Sequence, residues 1–80
     1  MNMLLSVAVR KRIIKLAKEK KITLHKLANL SGIPHSTLNS FMIGKSNSPK
    51  LATLLHICEG FDIELQEFFN DTMFKNVEED

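Results

Sequence analysis

The sequence predicts an all-α fold, a compact bundle of five helices. Apolar residues recur at the helical spacing of i, i+3 or i+4 and i+7 in successive segments. Glycine and proline residues separate these segments, as they do at helix ends and turns. No segment shows the alternation of apolar and polar residues that is typical of a half-buried strand. With 80 residues, the chain is predicted to form a single domain, with a core over about residues 7–69.

The first predicted helix runs from about Val7 to Lys20. Val9, Ile13 and Leu16 are spaced so that they share one face of this helix. Ser6 is the predicted N-cap, because a serine hydroxyl can accept a backbone N–H at a helix start. Lysines at the other end complement the negative C-terminus of the helix.

The second and third predicted helices are short and close together. Thr23 is the predicted N-cap of a helix over about Leu24 to Leu30, and Gly32 permits the sharp turn that follows. The third helix begins at Pro34, which is tolerated in a first turn, and ends at about Ile43 before Gly44. The predicted inner residues of this unit are Leu24, Leu27, Ala28, Ile33, Leu38 and Phe41.

Two more helices are predicted from the next proline and glycine. Ser48 and Pro49 form an N-cap and first-turn pair for a helix over about Lys50 to Glu59, which Gly60 is expected to stop. Its apolar residues at helical spacing are Leu51, Leu54, Leu55 and Cys58. A short fifth helix is predicted from Asp62 or Ile63 to Phe69. Residues 70–80 are predicted to be a frayed acidic tail.

The charges are strongly divided between the two parts of the chain. Residues 1–50 hold ten Lys or Arg and one acid, whereas residues 51–80 hold one Lys and eight acids. This division favours a basic face for a polyanion and an acidic end held away from it. The basic run at residues 10–12 follows the mildly apolar start of the chain, which is the reverse of a signal peptide. We therefore expect a soluble, cytoplasmic protein without a membrane segment.

The most informative segment is Thr23 to Lys45, two short helices around a small-residue turn. Short polar side chains, not long charged ones, cover the predicted outer face of the second of these helices. They are His35, Ser36, Thr37, Asn39 and Ser40. Such a helix can enter the major groove of DNA, which is about 12 Å wide, and form hydrogen bonds with base edges.

In its order of motifs, the chain resembles the Cro/C1-type (XRE) helix-turn-helix family of phage repressors and small bacterial regulators. The similar pieces are LANLSGIPHSTLNSF, GKSNSP and LLHICEGFDI followed by EFF, so that the resemblance extends over about residues 9–69. It implies a lambda-repressor-like fold in which the second and third helices bind DNA and the third lies in the major groove.

The resemblance also implies roles for individual residues. The outer residues of the third helix, His35, Ser36, Thr37, Asn39 and Ser40, match positions that face bases or the groove. Thr23, Lys45, Ser46 and Asn47 match positions that contact phosphate. The sequence departs from the family at Leu24, where a glutamine is common. The third helix also lacks an arginine or glutamine, so we expect modest base discrimination from one copy.

These observations favour a sequence-specific transcriptional regulator, a repressor of phage or mobile-element type that binds duplex DNA as a homodimer. The expected dimer surface is the C-terminal part of the chain, and core packing is expected to account for at least half of its apolar residues, Phe61, Ile63, Phe68, Phe69 and Phe74. The alternative is an antitoxin-like or adaptor module that uses the same fold to bind a protein. Either function would leave the chain without a small-molecule substrate.

Catalytic and metal-binding functions have little support in the sequence. Ser36 has no paired base at a useful spacing, so we expect no enzymatic activity. His56 and Cys58 are two residues apart on a helix and point to different faces, and no zinc-ligand spacing includes His25 or His35. We expect neither a metal nor a cofactor. A single cysteine cannot form an intramolecular disulfide.

Overall fold

The computed structural model describes residues 3–45 and 49–80, and in these ranges the chain forms five α-helices and one short 3-10 turn. The helices are α1 (Leu5–Lys20), α2 (Leu24–Ser31), α3 (His35–Met42), α4 (Leu51–Phe61) and α5 (Leu65–Phe69). The 3-10 turn is Thr72–Phe74. This architecture confirms the predicted all-α class and the number of helices, although several helix ends differ from the prediction.

The core forms where the inner faces of all five helices meet. Its largest fully buried side chains are Phe61, Phe68, Ile13, Leu27, Ile57 and Cys58. Most of the residues predicted to face inward are buried, including Val9, Leu16, Leu38 and Phe41. Burial of this apolar surface is the main force that holds the helices together.

Three leucines predicted from helical spacing to face inward are exposed. Leu24 on α2 is 37% exposed, and Leu51 and Leu55 on α4 are 78% and 44% exposed. The prediction for α4 was correct for Leu54 and Cys58 and wrong for Leu51 and Leu55, because the buried face of the helix also contains Ile57 and Phe61. Leucines spaced by three or four residues fit more than one stripe on a helix, so spacing alone did not identify the buried face.

The start of α1 differs from the prediction. The helix begins at Leu5, so Ser6 lies inside its first turn and is not the N-cap. The Ser6 backbone N–H and hydroxyl both donate to the side-chain carboxylate of Asp80. A carboxylate from residue 80 therefore caps α1, a role that suits an anion near a helix N-terminus.

The prediction that Gly60 stops α4 was also wrong. Gly60 lies inside α4, and the helix ends at Phe61 with Asp62 as its C-cap, which adopts a left-handed conformation with φ 59°. A Cβ atom at Gly60 would lie closer than 3.0 Å to the Ser31 hydroxyl oxygen of α2. The glycine thus permits close packing of α4 against α2. At its other end, α4 begins at Leu51 and its N-cap is Lys50. The predicted N-cap, Ser48, lies outside the described residues.

Residues 70–80 were predicted to fray, yet they pack against α1. Leu4 and Glu78 form an isolated parallel bridge, in which the Leu5 N–H donates to the Glu78 carbonyl at 2.8 Å and the Glu78 N–H to the Met3 carbonyl at 2.9 Å. Phe74 packs against the core beside Phe68. The segment is acidic as predicted but is an ordered part of the fold.

Arg12 is a buried residue that the sequence analysis did not single out. Its Nε donates to the Phe68 carbonyl at 2.6 Å and an Nη donates to the Glu67 carbonyl at 2.9 Å. The other Nη lies 3.5 Å from the Asp71 carboxylate, which also binds Lys15 at 2.7 Å. The acidic end is therefore joined to the first helix through Arg12 and Lys15.

Candidate nucleic-acid interface

The second helix begins at the predicted cap. The Thr23 hydroxyl accepts the Lys26 backbone N–H at 3.1 Å, and α2 starts at the next residue, Leu24. A hydroxyl that accepts one hydrogen bond still has its own proton to donate. Thr23 is exposed, so that proton can be donated to a bound partner.

The turn between α2 and α3 depends on Gly32 and Ile33. Gly32 has φ 69°, a left-handed conformation that glycine adopts without a steric penalty, and its N–H donates to the Asn29 carbonyl at 3.3 Å. The Ile33 N–H donates to the Ala28 carbonyl at 3.2 Å, and its side chain packs against the core. The chain therefore turns between α2 and α3 at Gly32, the residue predicted for this turn.

The third helix begins one residue later than predicted. Pro34 occupies the N-cap position, and its carbonyl accepts the N–H groups of Thr37 and Leu38 at 3.1 and 3.2 Å. Leu38 and Phe41 are buried and fix which face of α3 is turned outward. The Arg10 guanidinium lies 5.6 Å from the centre of the Phe41 ring, a cation–π contact that adds to this packing.

The structure brings the predicted groove-facing residues together on one surface of α3. Four of them are exposed and one is half-buried. The exposed residues are His35, Ser36, Thr37 and Asn39, and the half-buried residue is Ser40. The surface offers hydroxyl, amide and imidazole groups and no formal negative charge.

Two α2 residues that the sequence analysis did not assign to this surface hold His35 in place. His35 Nε2 lies 2.7 Å from Asn29 Oδ1, and because an amide oxygen only accepts, Nε2 donates in this bond. The His25 ring meets the His35 ring edge to face, with centroids 3.9 Å apart. His25 and Asn29 are four residues apart and share a helix face, which was the signal available in the sequence.

An open cleft of about 350 Å³ lies between the starts of α2 and α3. Its lining residues are Leu24, His25, His35, Ser36, Leu38 and Asn39. The exposed Leu24 forms part of its wall, so an apolar side chain of α2 lies beside the polar surface of α3.

The loop after α3 contains one described residue of the predicted phosphate-contacting group. Lys45 is exposed, and its N–H donates to the Ser40 carbonyl at 2.9 Å after the left-handed Gly44. Ser46 and Asn47 lie outside the described residues. At the other end of the surface, Lys18 and Lys21 line a groove with Thr23 and so add positive charge beside the α2 cap.

His56 and Cys58 lie on α4, apart from the surface that α2 and α3 form. His56 is exposed and Nδ1 lies 3.2 Å from the Glu59 carboxylate. Cys58 is fully buried in the core, and burial raises the pKa of its thiol. Among residues 3–45 and 49–80, no three His, Cys, Asp or Glu side chains come together in a group that could hold a metal ion.

No helix in the described part of the chain is long and apolar enough to cross a membrane.

The apolar residues expected to form a dimer surface belong mainly to the core. Phe61 and Phe68 are buried, and Ile63 and Phe74 are partly buried against the core. Phe69 alone of the five is exposed, at 37%. The expectation that core packing accounts for at least half of these residues is therefore met, and the dimer surface stays a prediction.

The fold and the paired helices α2 and α3 define a helix-turn-helix DNA-binding domain. A family model for the Cro/C1-type HTH DNA-binding domain matches residues 12–72, and the chain belongs to that family. The crystal structure of prophage Lp1 protein 11 is similar, with a TM-score of 0.81 and 25% sequence identity over 96% of this chain and 100% of that chain. No curated protein matches the sequence. These comparisons identify the chain as a DNA-binding regulator of this family.

Proposed function

We propose that the protein is a sequence-specific transcriptional regulator, a repressor of phage or mobile-element type, that acts in the cytoplasm. Its helix α3 would lie in the major groove of duplex DNA and contact base edges there. The observation that carries the proposal is the outer face of α3, where His35, Ser36, Thr37 and Asn39 stand exposed beside the turn at Gly32. Side chains this short let the helix backbone approach base edges closely. The similarity to a prophage protein supports the phage-type setting.

Phosphate contacts would fix the position of α3 in the groove. We assign them to the Thr23 hydroxyl and to Lys45. The Thr23 oxygen already accepts the Lys26 backbone N–H, so its own proton is the group available to a phosphate. Ser46 and Asn47 are assigned to phosphate contact from the sequence. Lys18 and Lys21 increase the positive charge beside Thr23. Contacts with phosphate hold the protein in register, whereas contacts with base edges discriminate between sequences.

His35 is the best-oriented candidate for base contact. Because Nε2 donates to the Asn29 amide oxygen, a ring with one N–H group presents Nδ1 as an acceptor. An acceptor on α3 can pair with the exocyclic amine of adenine or cytosine in the major groove. The contact with the His25 ring already restricts rotation of the His35 side chain, so less conformational entropy is lost when the side chain binds DNA.

The protein would bind DNA as a homodimer. The molecule measures 34 × 25 × 21 Å, and successive half-sites on one face of DNA lie about 34 Å apart. Two copies in contact can therefore occupy neighbouring half-sites. The part of the predicted dimer surface that stays exposed, Phe69, lines an apolar groove with Leu5 and Leu51, and we place the interface there.

Fluorescence anisotropy with DNA fragments selected from a random pool tests the proposal. We expect salt-sensitive, sequence-selective binding, since each neutralised phosphate releases counterions. Replacement of Thr37 and Asn39 by alanine should weaken specific binding about 30-fold or more, because each good base contact contributes about 1–3 kcal/mol. The matched control is the double replacement of the exposed Gln66 and Asn70 on and after α5, which should leave affinity unchanged.

Three results would contradict these assignments. Unchanged affinity in the Thr37 and Asn39 double variant would contradict the placement of α3 in the groove. Recovery of a stoichiometric protein partner, with no DNA binding at low salt, would favour the antitoxin-like or adaptor function. For the dimer, sedimentation of the Leu51→Asp variant should show a monomer, and an unchanged sedimentation coefficient would refute the proposed interface.

A further inference from the structure

The cleft between the starts of α2 and α3 combines an apolar wall with a polar rim. Leu24 lies at its edge with 37% of its surface exposed, and the buried Leu38 forms its floor. Ser36 and Asn39 stand at the rim with their polar groups exposed. This arrangement lies on the face that the proposed function turns toward DNA.

An exposed leucine at this position has few apolar partners on DNA. The major groove presents hydrogen-bond donors and acceptors on every base pair, and the apolar group it presents is the C5 methyl of thymine. The C5 methyl of 5-methylcytosine occupies the equivalent position on a G·C pair. We propose that the Leu24 cleft receives the C5 methyl of a thymine and so selects an A·T pair in the operator, an inference that rests on the proposed function.

The cleft walls are fixed before any DNA is bound. Thr23 caps α2 one residue before Leu24, and the His35 ring is held between the Asn29 amide and the His25 ring. A wall that does not rearrange loses little conformational entropy when it closes over a methyl group. Asn39 lies at the rim of the same cleft, and an asparagine amide can form two hydrogen bonds with adenine. The two groups therefore favour the same base pair by different chemistry.

The test starts from a DNA site selected from random duplexes by the full chain. Each thymine of that site is replaced in turn by deoxyuridine, which removes the C5 methyl and keeps the hydrogen-bonding groups. We expect one thymine per half-site whose methyl loss weakens binding about fourfold, the effect of one buried methyl-sized group. In the Leu24→Ala variant, thymine and deoxyuridine at that position should bind with equal affinity.

The matched control is Leu30→Ala, since Leu30 is an exposed leucine of the same helix outside the cleft. This variant should keep the fourfold preference for thymine. Circular dichroism of both variants checks that the helices are intact. A second variant, Leu24→Gln, replaces the apolar side chain with a polar one of comparable size and should also lose the preference for thymine.

The outcomes separate the inference from the proposed function. If no DNA is selected at all, the proposed function fails and the inference fails with it. If DNA is selected but no thymine responds to methyl removal, or Leu24→Ala keeps the preference, the cleft assignment is overturned while the proposed function stands. A selected site with cytosine at this position that gains affinity only on C5 methylation would assign the cleft to 5-methylcytosine and overturn the thymine assignment.

Discussion

Replacement of Gly60 by alanine should destabilise the protein, although alanine is the better helix former. In an exposed helix the change would stabilise by about 1 kcal/mol. Here the new Cβ would lie closer than 3.0 Å to Ser31 Oγ and 3.2 Å from both the Ser31 backbone nitrogen and Leu27 Cδ1. Overpacking of this kind costs about 1–3 kcal/mol, and a backbone atom cannot rotate away. We expect a net loss of up to about 2 kcal/mol.

The same contact predicts a rescue. Ser31 Oγ is buried and has no hydrogen-bond partner among the residues that the structure describes. Ser31→Ala should therefore be close to neutral or slightly stabilising, because it removes a buried hydroxyl that forms no bond. In the double variant the severe contact with Oγ is gone and the two 3.2 Å contacts persist. The coupling free energy between the two substitutions should be about 1 kcal/mol or more.

Urea unfolding followed by far-ultraviolet circular dichroism measures this cycle, since the chain contains no tryptophan or tyrosine. A loss of 1 kcal/mol in a domain of this size lowers Tm by about 4–8 °C. Additivity of the two single changes within about 0.5 kcal/mol would refute the contact argument. A stabilised Gly60→Ala variant would refute it as well, and would show that α2 and α4 can separate without cost.

Further predictions concern buried charge, acid stability, thiol reactivity and DNA binding. Arg12→Met should lower the free energy of unfolding by about 3 kcal/mol in urea titrations, because the Phe68 carbonyl loses its donor and the Glu67 carbonyl and the Asp71 carboxylate each lose one of theirs; an unchanged midpoint would contradict its structural role. The hydrogen bond from Lys15 holds the pKa of Asp71 below its ordinary 3.8, so the unfolded state binds more protons and stability should fall as the pH drops below about 4. Urea midpoints of Asp71→Asn should depend less on pH in that range, and an identical acid slope would count against the assignment. Cys58 should react with a thiol reagent about a thousandfold more slowly in the native than in the unfolded protein, because it is buried and burial raises its pKa; fast native labelling would show an open core. Thr23→Val should weaken DNA binding about equally at all sequences and reduce its salt dependence little, since a neutral hydroxyl releases no counterion; a change in the preferred sequence would instead assign Thr23 to base contact.

The parts of the fold that the sequence predicted correctly depend on neighbours in the chain. The cap at Thr23, the turn at Gly32 and the start of α3 beside Pro34 are set within four residues, and all three were predicted correctly or to within one residue. The outer face of α3 could be predicted for the same reason, because burial of Leu38 and Phe41 determines which residues point outward.

The features that were missed depend on partners far along the chain. The role of Gly60 appears only when Ser31 is placed opposite it, and the position of Ser6 in α1 depends on Asp80. Arg12 looked like one member of a basic run. Its spacing of three from Val9 and four from Leu16 placed it on the inner stripe, a signal that charge obscured.

The candidate site also contains features that neighbours in the chain determine and features that require the folded arrangement of the helices. Which residues of α3 face outward followed from the sequence, whereas the contacts of His35 with His25 and Asn29 required the angle between α2 and α3. Leu24 was assigned to the core from its spacing, and the cleft that it lines could not be predicted until that assignment was corrected.

The joining of α1 to residues 67–80 has a consequence for the order of events on the ribosome. The first helix is synthesised early, yet its capping carboxylate at Asp80 and the carbonyls that receive Arg12 belong to residues made more than fifty positions later. Until those residues leave the exit tunnel, α1 carries an uncompensated guanidinium on its inner face, and burial of that charge is unfavourable. The nascent chain should therefore hold its first helix loosely and complete its folding in a single late step, with little opportunity for a stable, partly built domain that could bind DNA too early.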